Sequence, residues 1–423
     1  MTLCLGCFRS IDDVQRITRE LPRLCASADH AGIDLRRGNG TAQLRTIISI
    51  DSVLYPLTGI ARYSLELARH LPACTEICDQ KLFFFTQFVD ALPVPSASPS
   101  VWGKLRSQAV KSRIAVATYQ KIAPLLQARA LRSYSNYVFH GTNFCLPPHS
   151  GPSVVTFHDN SIYARPQDHP AERVRYMRHE MELSLRRAQM IVTDSEFTRV
   201  EVAKYFSWPL ERICSVPLAC SSAFAPRPMA DMIPTLARYG LRPNHYTLFL
   251  GTIEPRKNLG TLLDAYRQLP QELRLRWPLV LAGFSGWHND NLRTQIESAA
   301  RAGWLRYLGY VAEDVLPTLL AGARVFAYPS LYEGFGLPVL EAMASGVPVV
   351  CSNATSLPEV VGHASLLHDP NDVDELTQLL ARALQDEALR SHISALGLAR
   401  SAQFSWTQTA AQTVAVYGRA ATL

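Results

Sequence analysis

Two successive series of short apolar runs limit what this chain can fold into more than any other feature of its sequence. The first series runs from residues 46–51 (TIISID) to 212–219 (RICSVPLA), and the second from 246–252 (YTLFLGT) to 364–370 (ASLLHDP). In both series the apolar runs alternate with helix-like segments, which is typical of a doubly wound parallel sheet. The sequence therefore predicts an α/β protein with two Rossmann-like domains that face a cleft.

The length and composition agree with two domains. A chain of 423 residues, 48% of them hydrophobic, can bury two cores of ordinary size. A proline-rich segment without strand periodicity places the linker near residues 223–235. The predicted divisions are an N-terminal extension at 1–44, a first domain at 45–225, a second domain at 236–405 and a C-terminal helix at 406–423. The extension is either a disordered tail or part of an overlong reading frame.

The sequence contains no apolar run of transmembrane length, and its first residues lack the features of a secretion signal. We therefore expect a cytoplasmic protein. Its nine cysteines are scattered, and Cys214 and Cys351 fall in predicted buried strands, which favours reduced thiols over disulfides. Cys4 and Cys7 form a CxxC pair, but without a second pair it is weak evidence for zinc.

Residues 331–348 (LYEGFGLPVLEAMASGVP) carry the strongest functional signal. They set Glu333 and Glu341 around a glycine-rich turn that follows a predicted strand and begins a predicted helix. Gly334 and Gly336 let the backbone approach a ligand closely, and the amides of a helix N-terminus attract an anion. This arrangement suits a nucleotide-sugar diphosphate, with one carboxylate on a sugar hydroxyl and the other on a ribose.

Two other interpretations of the two carboxylates are weaker. A glycosidase pair must keep one acid protonated, and nothing in the sequence indicates a raised pKa for Glu333 or Glu341. An ordinary amphipathic helix with one capping and one surface glutamate would explain the spacing alone. It would not explain the EGFG turn between the two residues.

From about residue 45 to the C-terminus, these motifs resemble the retaining GT-B glycosyltransferases of glycosyltransferase family 4. The resemblance implies that the first domain binds the acceptor, the second binds the nucleotide sugar, and residues 406–423 cross back onto the first domain. It also implies that Glu333 orients the donor hexose and Glu341 the ribose. The diphosphate would meet the amides of the turn, which belong to Gly334, Phe335, Gly336 and Leu337.

A second motif, GTIEPRKNLGTLLDAY, follows a predicted strand and begins a helix. Its adjacent cations, Arg256 and Lys257, can neutralise a leaving diphosphate. In the family, a lysine at this turn contacts the diphosphate, and Lys257 matches it. An arginine more commonly follows the strand-end glycine, where this chain has Thr252, so Arg256 is expected to supply the second charge.

Three residues of the first domain also match the family. Gly59 belongs to a loop after the first strand, which in the family lies beside the donor phosphates. His158 ends a strand, where doubly wound domains build their sites, and matches the histidine that approaches the donor sugar. His140 also ends a strand, and a structural and an acceptor-side role are equally open.

Two positions of the second domain are candidates for the nucleotide. Tyr310 ends a strand where the resemblance places the nucleobase, although core packing is nearly as good an explanation. Gly283 permits close backbone approach at a neighbouring strand end.

The resulting prediction is a retaining hexosyltransferase that moves mannose from GDP-mannose onto a saccharide, expected to be polyprenyl-linked, in cell-surface polysaccharide biosynthesis. No cofactor is expected. No metal is expected either, because no acidic DxD-like cluster accompanies the strand ends and the two cations replace it. The alternatives are a UDP-sugar-dependent transferase such as a glucosyltransferase, a nucleotide-sugar epimerase or phosphorylase, and a non-catalytic GT-B partner protein. A phosphorylase would need a cofactor lysine, and no lysine follows Lys257.

Residues 91–158 contain no aspartate or glutamate. Basic residues interleaved with apolar ones predict a surface that docks on anionic lipid at the inner face of the cytoplasmic membrane. A solvated face is the simpler alternative, and nucleic-acid binding is disfavoured because no binding motif is present. The basic residues are Lys104, Arg106, Lys111, Arg113, Lys121, Arg129 and Arg132.

Overall fold

The computed structural model describes residues 43–93, 113–287 and 290–423, with the side chains of 113–121 and 290 left out. The predicted N-terminal extension and its CxxC pair lie outside these ranges, as do Lys104, Arg106 and Lys111. The elements of the first domain are β1 (Leu44–Ser49), α1 (Gly59–His70), β2 (Ile77–Phe84), β3 (Gln87–Val89), α2 (Arg113–Leu131), β4 (Val138–Gly141), β5 (Ser153–Phe157), α3 (Ser161–Ala164), α4 (Ala171–Arg187), β6 (Met190–Thr193), α5 (Glu196–Phe206) and β7 (Ile213–Ser215).

The second domain repeats the alternation. Its elements are α6 (Met229–Ala237), β8 (Thr247–Leu250), α7 (Leu259–Gln268), α8 (Gln271–Arg276), β9 (Leu279–Ala282), α9 (Asp290–Arg301), β10 (Leu305–Gly309), α10 (Leu316–Ala321), β11 (Val325–Tyr328), α11 (Leu337–Ala344), β12 (Val349–Ser352), α12 (Leu357–Val361), β13 (Leu366–His368), α13 (Val373–Gln385) and α14 (Glu387–Ser401), followed by the terminal helix α15 (Trp406–Ala421).

Within the described ranges, the strands form two sheets in the orders β3-β2-β1-β4-β5-β6-β7 and β10-β9-β8-β11-β12-β13. Every pairing is parallel except that of β3, which runs antiparallel to β2 at the edge of the first sheet. The order reverses beside β1 in the first sheet and beside β8 in the second. Doubly wound sheets bind ligands at such switch points, outside the carboxyl ends of the strands. The two predicted Rossmann-like domains are confirmed.

Part of the segment predicted as linker is helical. Helix α6 begins at Met229, where an extended Pro228 precedes it. Met232 and Leu236, four positions apart on this helix, are buried. The prediction missed this because Pro234 interrupts the local helix signal, whereas burial of one apolar face stabilises the helix in the folded protein.

The terminal helix α15 packs against α1 and against the first sheet. Its Tyr417 is fully buried and belongs to the same apolar cluster as Ile48 of β1 and Leu248 of β8. The adjacent Ile47 belongs to a second cluster on the opposite face of the first sheet, since successive side chains of a strand point to opposite faces.

Polar contacts join the two domains. The Trp287 Nε1–H donates to the carbonyl of Asp168 at 2.6 Å. The Glu359 carboxylate accepts hydrogen bonds from the amides of Glu196 and Phe197, at the start of α5, at 2.9 and 3.2 Å. A carboxylate of one domain therefore caps a helix of the other.

Among the described residues, no helix combines the length and apolar character that crossing a membrane requires.

Candidate active site

Glu333 lies in a buried cluster of charged groups in the second domain. Its carboxylate meets both predicted cations: Lys257 Nζ lies 2.6 Å from Oε1, and Arg256 Nη1 lies 3.0 Å from Oε2. The cations belong to a short 3₁₀ turn, Pro255–Lys257, which ends at Asn258 in the left-handed conformation. The side chains of Glu333 and Lys257 are each 8% exposed. The two motifs found in the sequence thus meet in one ion-pair network.

Two further residues complete this network. Arg256 Nε lies 2.6 Å from the carboxylate of Glu254. Lys257 Nζ donates to the Tyr328 hydroxyl at 2.6 Å and lies 5.0 Å from the centroid of that ring. Neither Glu254 nor Tyr328 was predicted from the sequence to have a role, although Glu254 stands inside the EPRKN motif. Two cations therefore face two carboxylates, and the cluster is neutral before any ligand binds.

The network fixes the protonation of Glu333. Burial alone would raise the pKa of this carboxyl group, but Lys257 and Arg256 together lower it to about 2. Burial and the neighbouring Arg256 lower the pKa of Lys257, against the attraction of Glu333. Glu333 is therefore ionised at neutral pH and cannot serve as a proton donor.

The glycine at position 334 allows the two domains to touch. A Cβ built on Gly334 would lie 1.8 Å from the carbonyl oxygen of His158 in the first domain. The Gly334 carbonyl in turn accepts a hydrogen bond from Ser195 Oγ at 2.7 Å. The close approach that the sequence predicted for a ligand at this glycine is made here by the backbone of the other domain.

The remaining residues of the turn lead into α11. Phe335 is buried, with its ring 5.9 Å from that of Phe404, so its side chain packs inward. Gly336 caps α11 with φ +106°, a conformation that favours glycine. Within the described ranges, no residue accepts a hydrogen bond from the amides of Gly336 or Leu337, as is usual for a helix start. A Cβ on Gly59 would lie 3.6 Å from Leu337 Cδ1, so the predicted glycine loop lies beside this helix start.

Glu341 lies in α11 and pairs across the cleft. Its side chain is 3% exposed, and its carboxylate is bonded to Nη1 of Arg62, which belongs to α1 of the first domain. Arg62 Nε also lies 3.5 Å from the carboxylate of Glu313. Burial raises the pKa of Glu341, with Arg62 opposing the rise. The expectation that neither carboxyl group has a raised pKa is therefore wrong for Glu341. Arg62 was missed because 279 positions separate the two partners.

His158 lies just after β5 and is buried. Its Nε2–H donates to the carbonyl of Thr142 at 2.9 Å, and its Nδ1 lies 2.7 Å from the carboxylate of Asp194. Burial acts to lower the pKa of His158, but Asp194 outweighs it and raises the pKa. With both ring nitrogens next to acceptors, the side chain favours the charged form and has no free lone pair for a general base. Its carbonyl oxygen is what faces the second domain.

His140 is fully buried between the first sheet and the terminal helix. Its ring nitrogens lie 2.7 Å from the Tyr417 hydroxyl and 2.8 Å from Thr156 Oγ1. Burial lowers the pKa of His140 to about 3, so the ring is neutral. Of the two roles left open for this residue, the structure favours the structural one.

Tyr310 forms an exposed aromatic pair with Phe284. The rings are stacked with centroids 4.8 Å apart and an interplanar angle of 20°, and the residues are 47% and 48% exposed. This exposure excludes the core-packing alternative for Tyr310, whereas Phe284 was not singled out in the sequence. Gly283 has φ +140°, and a Cβ there would lie 2.0 Å from the carbonyl oxygen of Gly251. Thr252, after β8, is partly buried.

In the described part of the chain, no three His, Cys, Asp or Glu side chains come close enough to hold a metal ion.

Comparison with known proteins gives the family. The family described as "Glycosyl transferases group 1" matches residues 241–398. The O-antigen chain mannosyltransferase B of Escherichia coli is 47% identical to this chain over 378 residues, which are 88% of this chain and 99% of that protein. The chain belongs to the group 1 glycosyl transferases. The matched segment contains Glu333, Glu341, Arg256 and Lys257, so the charged network lies in the part of the chain that defines the family.

Another relative matches a shorter part of the chain, and solved structures match most of it. The MMP alpha-(1->4)-mannosyltransferase of Mycolicibacterium hassiacum is 49% identical over 114 residues, which are 26% of this chain and 28% of that protein. Among solved structures, the Anabaena protein HepE in complex with UDP and glucose has a TM-score of 0.66 at 17% identity, covering 89% of this chain and 100% of that one. The glycosyltransferase WaaG has a TM-score of 0.62 at 14% identity, over 88% of this chain and 99% of that one. These structures confirm the predicted GT-B fold.

Proposed function

We propose that this glycosyltransferase moves mannose from GDP-mannose onto a saccharide acceptor, with retention at the anomeric carbon, in the assembly of a cell-surface polysaccharide such as O-antigen. The observation that carries the proposal is the pairing of Glu333 with Arg256 and Lys257 at the carboxyl end of the second sheet. The 47% identity to an O-antigen mannosyltransferase over nearly the whole of that protein supports mannose as the sugar.

The two cations would stabilise the departing diphosphate. Before the donor binds, Glu333 and Glu254 neutralise them. When the diphosphate arrives, the cations are already held in ion pairs and largely buried, so little reorganisation is needed as negative charge develops on the leaving oxygen. The amides at the start of α11 add the positive end of a helix to the same region. These groups would supply the stabilisation that a metal gives other transferases, so transfer is expected to need no metal and no cofactor.

Glu333 would orient the donor hexose rather than attack it. Its low pKa keeps it ionised, and both carboxylate oxygens are engaged by the cations. A front-face mechanism follows, in which the leaving phosphate accepts the proton of the incoming hydroxyl. Both ring nitrogens of His158 are hydrogen-bonded, so its ring would contribute positive charge. Its carbonyl group would hold the backbone of the first domain close to Gly334.

The nucleoside would bind farther along the second domain. Glu341 would accept hydrogen bonds from the ribose hydroxyls. The stacked rings of Phe284 and Tyr310 give an exposed aromatic surface at the ends of β9 and β10, where a nucleobase can bind. Stacking alone accepts any base, so the choice of GDP rests on the mannosyltransferase relatives.

The acceptor is expected to be a polyprenyl-linked saccharide reached at an anionic membrane surface on the cytoplasmic side. Ala123 and Leu131 bury one face of α2 in the first domain. On its other face Ile122, Leu125 and Leu126 are 48%, 71% and 49% exposed. The exposed Arg129 and Arg132 follow them. Apolar side chains next to cations suit the boundary between lipid headgroups and acyl chains.

Nucleotide titration tests the donor assignment. Isothermal titration of the whole chain with GDP, UDP and ADP should give the tightest binding for GDP. Preference for UDP would replace the donor with a UDP-sugar and keep the transferase. Absence of binding for all three nucleotides would contradict a nucleotide-sugar site in this cleft.

A further inference from the structure

Arg62 reaches from the first domain to the carboxylate of Glu341, the group that the proposed function assigns to the donor ribose. Arg62 lies in α1, just after the Gly59 loop, and Glu341 lies about one turn into α11. The Arg62 guanidinium bonds Glu341 Oε1 through Nη1 and lies 3.5 Å from Glu313 Oε1 through Nε. One arginine thus joins two carboxylates of the second domain.

The three side chains differ in exposure. Glu341 is 3% exposed, whereas Arg62 is 23% and Glu313 is 31% exposed. Burial raises the pKa of Glu341, and the neighbouring guanidinium of Arg62 opposes that rise, so the pair is electrostatically complementary in the unliganded protein. The cation is the more accessible partner and sits on the longer side chain, whereas the carboxylate is buried.

We propose that Arg62 occupies the ribose subsite of the unliganded enzyme and that the donor nucleotide displaces it from Glu341. The inference rests on the proposed function, because it takes Glu341 as the acceptor for the ribose hydroxyls. Oε1 of Glu341 is bonded to Arg62, so a ribose that needs both carboxylate oxygens must compete with the guanidinium.

The displaced guanidinium keeps other partners. Glu313 is already within 3.5 Å of Arg62 Nε. The Arg62 Cζ lies 5.8 Å from the centroid of the Phe224 ring, so the guanidinium also has an aromatic neighbour. Arg62 is therefore a positioning residue. Only molecules in which Arg62 has left Glu341 can bind the ribose, so the apparent affinity for the nucleotide falls in proportion to the fraction of such molecules.

The test compares nucleotides with and without ribose hydroxyls. GDP and 2′,3′-dideoxy-GDP carry the same base and diphosphate, so loss of a positive charge affects the binding of both alike. Only GDP must displace Arg62 to reach Glu341. The ratio Kd(dideoxy-GDP)/Kd(GDP) therefore reports the competition between Arg62 and the ribose for Glu341, because the effect of changing the protein's charge cancels.

In Arg62→Met this ratio should rise about fivefold, because the competing cation is gone while the apolar stem is kept. Arg69→Met is the matched control: Arg69 lies on the same helix, is 51% exposed and pairs only locally with Glu66 at 2.8 Å among the partners the structure describes. Its ratio should equal that of the wild type. A ratio that is unchanged or lower in Arg62→Met would overturn the inference.

Glu313→Gln gives a second test at a residue whose side chain is 31% exposed and whose substitution keeps its size and shape. Weakening the alternative partner should hold Arg62 more firmly on Glu341 and lower the ratio. An unchanged or higher ratio would contradict the displacement.

The failure of the proposed function can be told apart from the failure of this inference. A wild type that binds neither GDP nor UDP overturns the proposed function and the inference with it. Normal GDP binding with identical ratios in all variants overturns the inference alone.

Discussion

The ammonium group of Lys257 lies 2.6 Å from the carboxylate of Glu333, although 76 positions separate the two residues in the chain. The contact joins the turn after β8 to the turn after β11, at neighbouring carboxyl ends of one sheet. Arg256 reaches the other oxygen of the same carboxylate. The cations are therefore held in place by protein groups before a diphosphate binds, which is the preorganisation that transition-state stabilisation requires.

Glu333→Gln should retain GDP binding and lower kcat by at least about a hundredfold, on the scale of losing a charged group that acts in the transition state. Binding persists because Arg256 and Lys257 remain. Calorimetry with GDP and steady-state transfer assays separate the two effects. Turnover equal to the wild type would remove Glu333 from the mechanism.

Lys257→Ala should weaken donor binding and slow transfer together, since the ammonium group lies near the diphosphate in both the ground state and the transition state. KM for the donor and kcat are the quantities to measure. Lys81→Ala, in the first sheet and away from the cleft, is the control and should leave both unchanged. If the Lys257 variant also leaves both unchanged, the phosphate site lies elsewhere.

The stability difference between the wild type and Glu333→Gln should depend on pH. The ordinary pKa of a glutamate is 4.5, and that of Glu333 in the folded protein is about 2. Because the folded pKa is depressed, the stabilisation is complete above 4.5 and is lost as the pH falls toward 2. Its size is about 3 kcal/mol at neutral pH. Urea unfolding of both proteins from pH 7 to pH 3 should show the difference shrinking; a constant difference would contradict the assigned pKa.

The sequence predicted those parts of the protein that depend on local pattern. The run YTLFLGT contains β8, and the EGFG and EPRKN motifs lie at strand ends, because strand periodicity and turn residues are properties of neighbouring positions. Edge strand β3 was missed, since its three residues carry no such periodicity.

The contacts between distant segments could not be predicted in the same way. Arg62 and Glu341 are brought together only when both domains have folded, and so are Gly334 and the carbonyl of His158. The sequence marked Gly334 and His158 as site residues but gave no means of seeing that they touch each other. The partner of His158, Asp194, follows a different strand, 36 positions along the chain.

Membrane docking through α2 predicts binding that depends on both charge and apolar area. Vesicles that contain phosphatidylglycerol should sediment with the protein at low salt and less at high salt, because exposed cations are screened. The double variant Leu125→Glu/Leu126→Glu should bind weakly. Leu275→Glu, on α8 of the second domain and 48% exposed, is the control and should bind like the wild type. Equal binding to neutral vesicles would make this face an ordinary solvated surface.

Mannosyl transfer with retention is tested by the configuration of the bond that the enzyme forms. GDP-α-mannose labelled with ¹³C at the anomeric carbon is incubated with the enzyme, a polyprenyl-linked saccharide fraction as acceptor, and an excess of EDTA. The one-bond carbon–hydrogen coupling at the labelled carbon of the product is then measured by NMR. We expect an α-mannoside formed without added metal. A β-mannoside would contradict retention, and transfer from UDP-glucose but not from GDP-mannose would contradict the assigned donor.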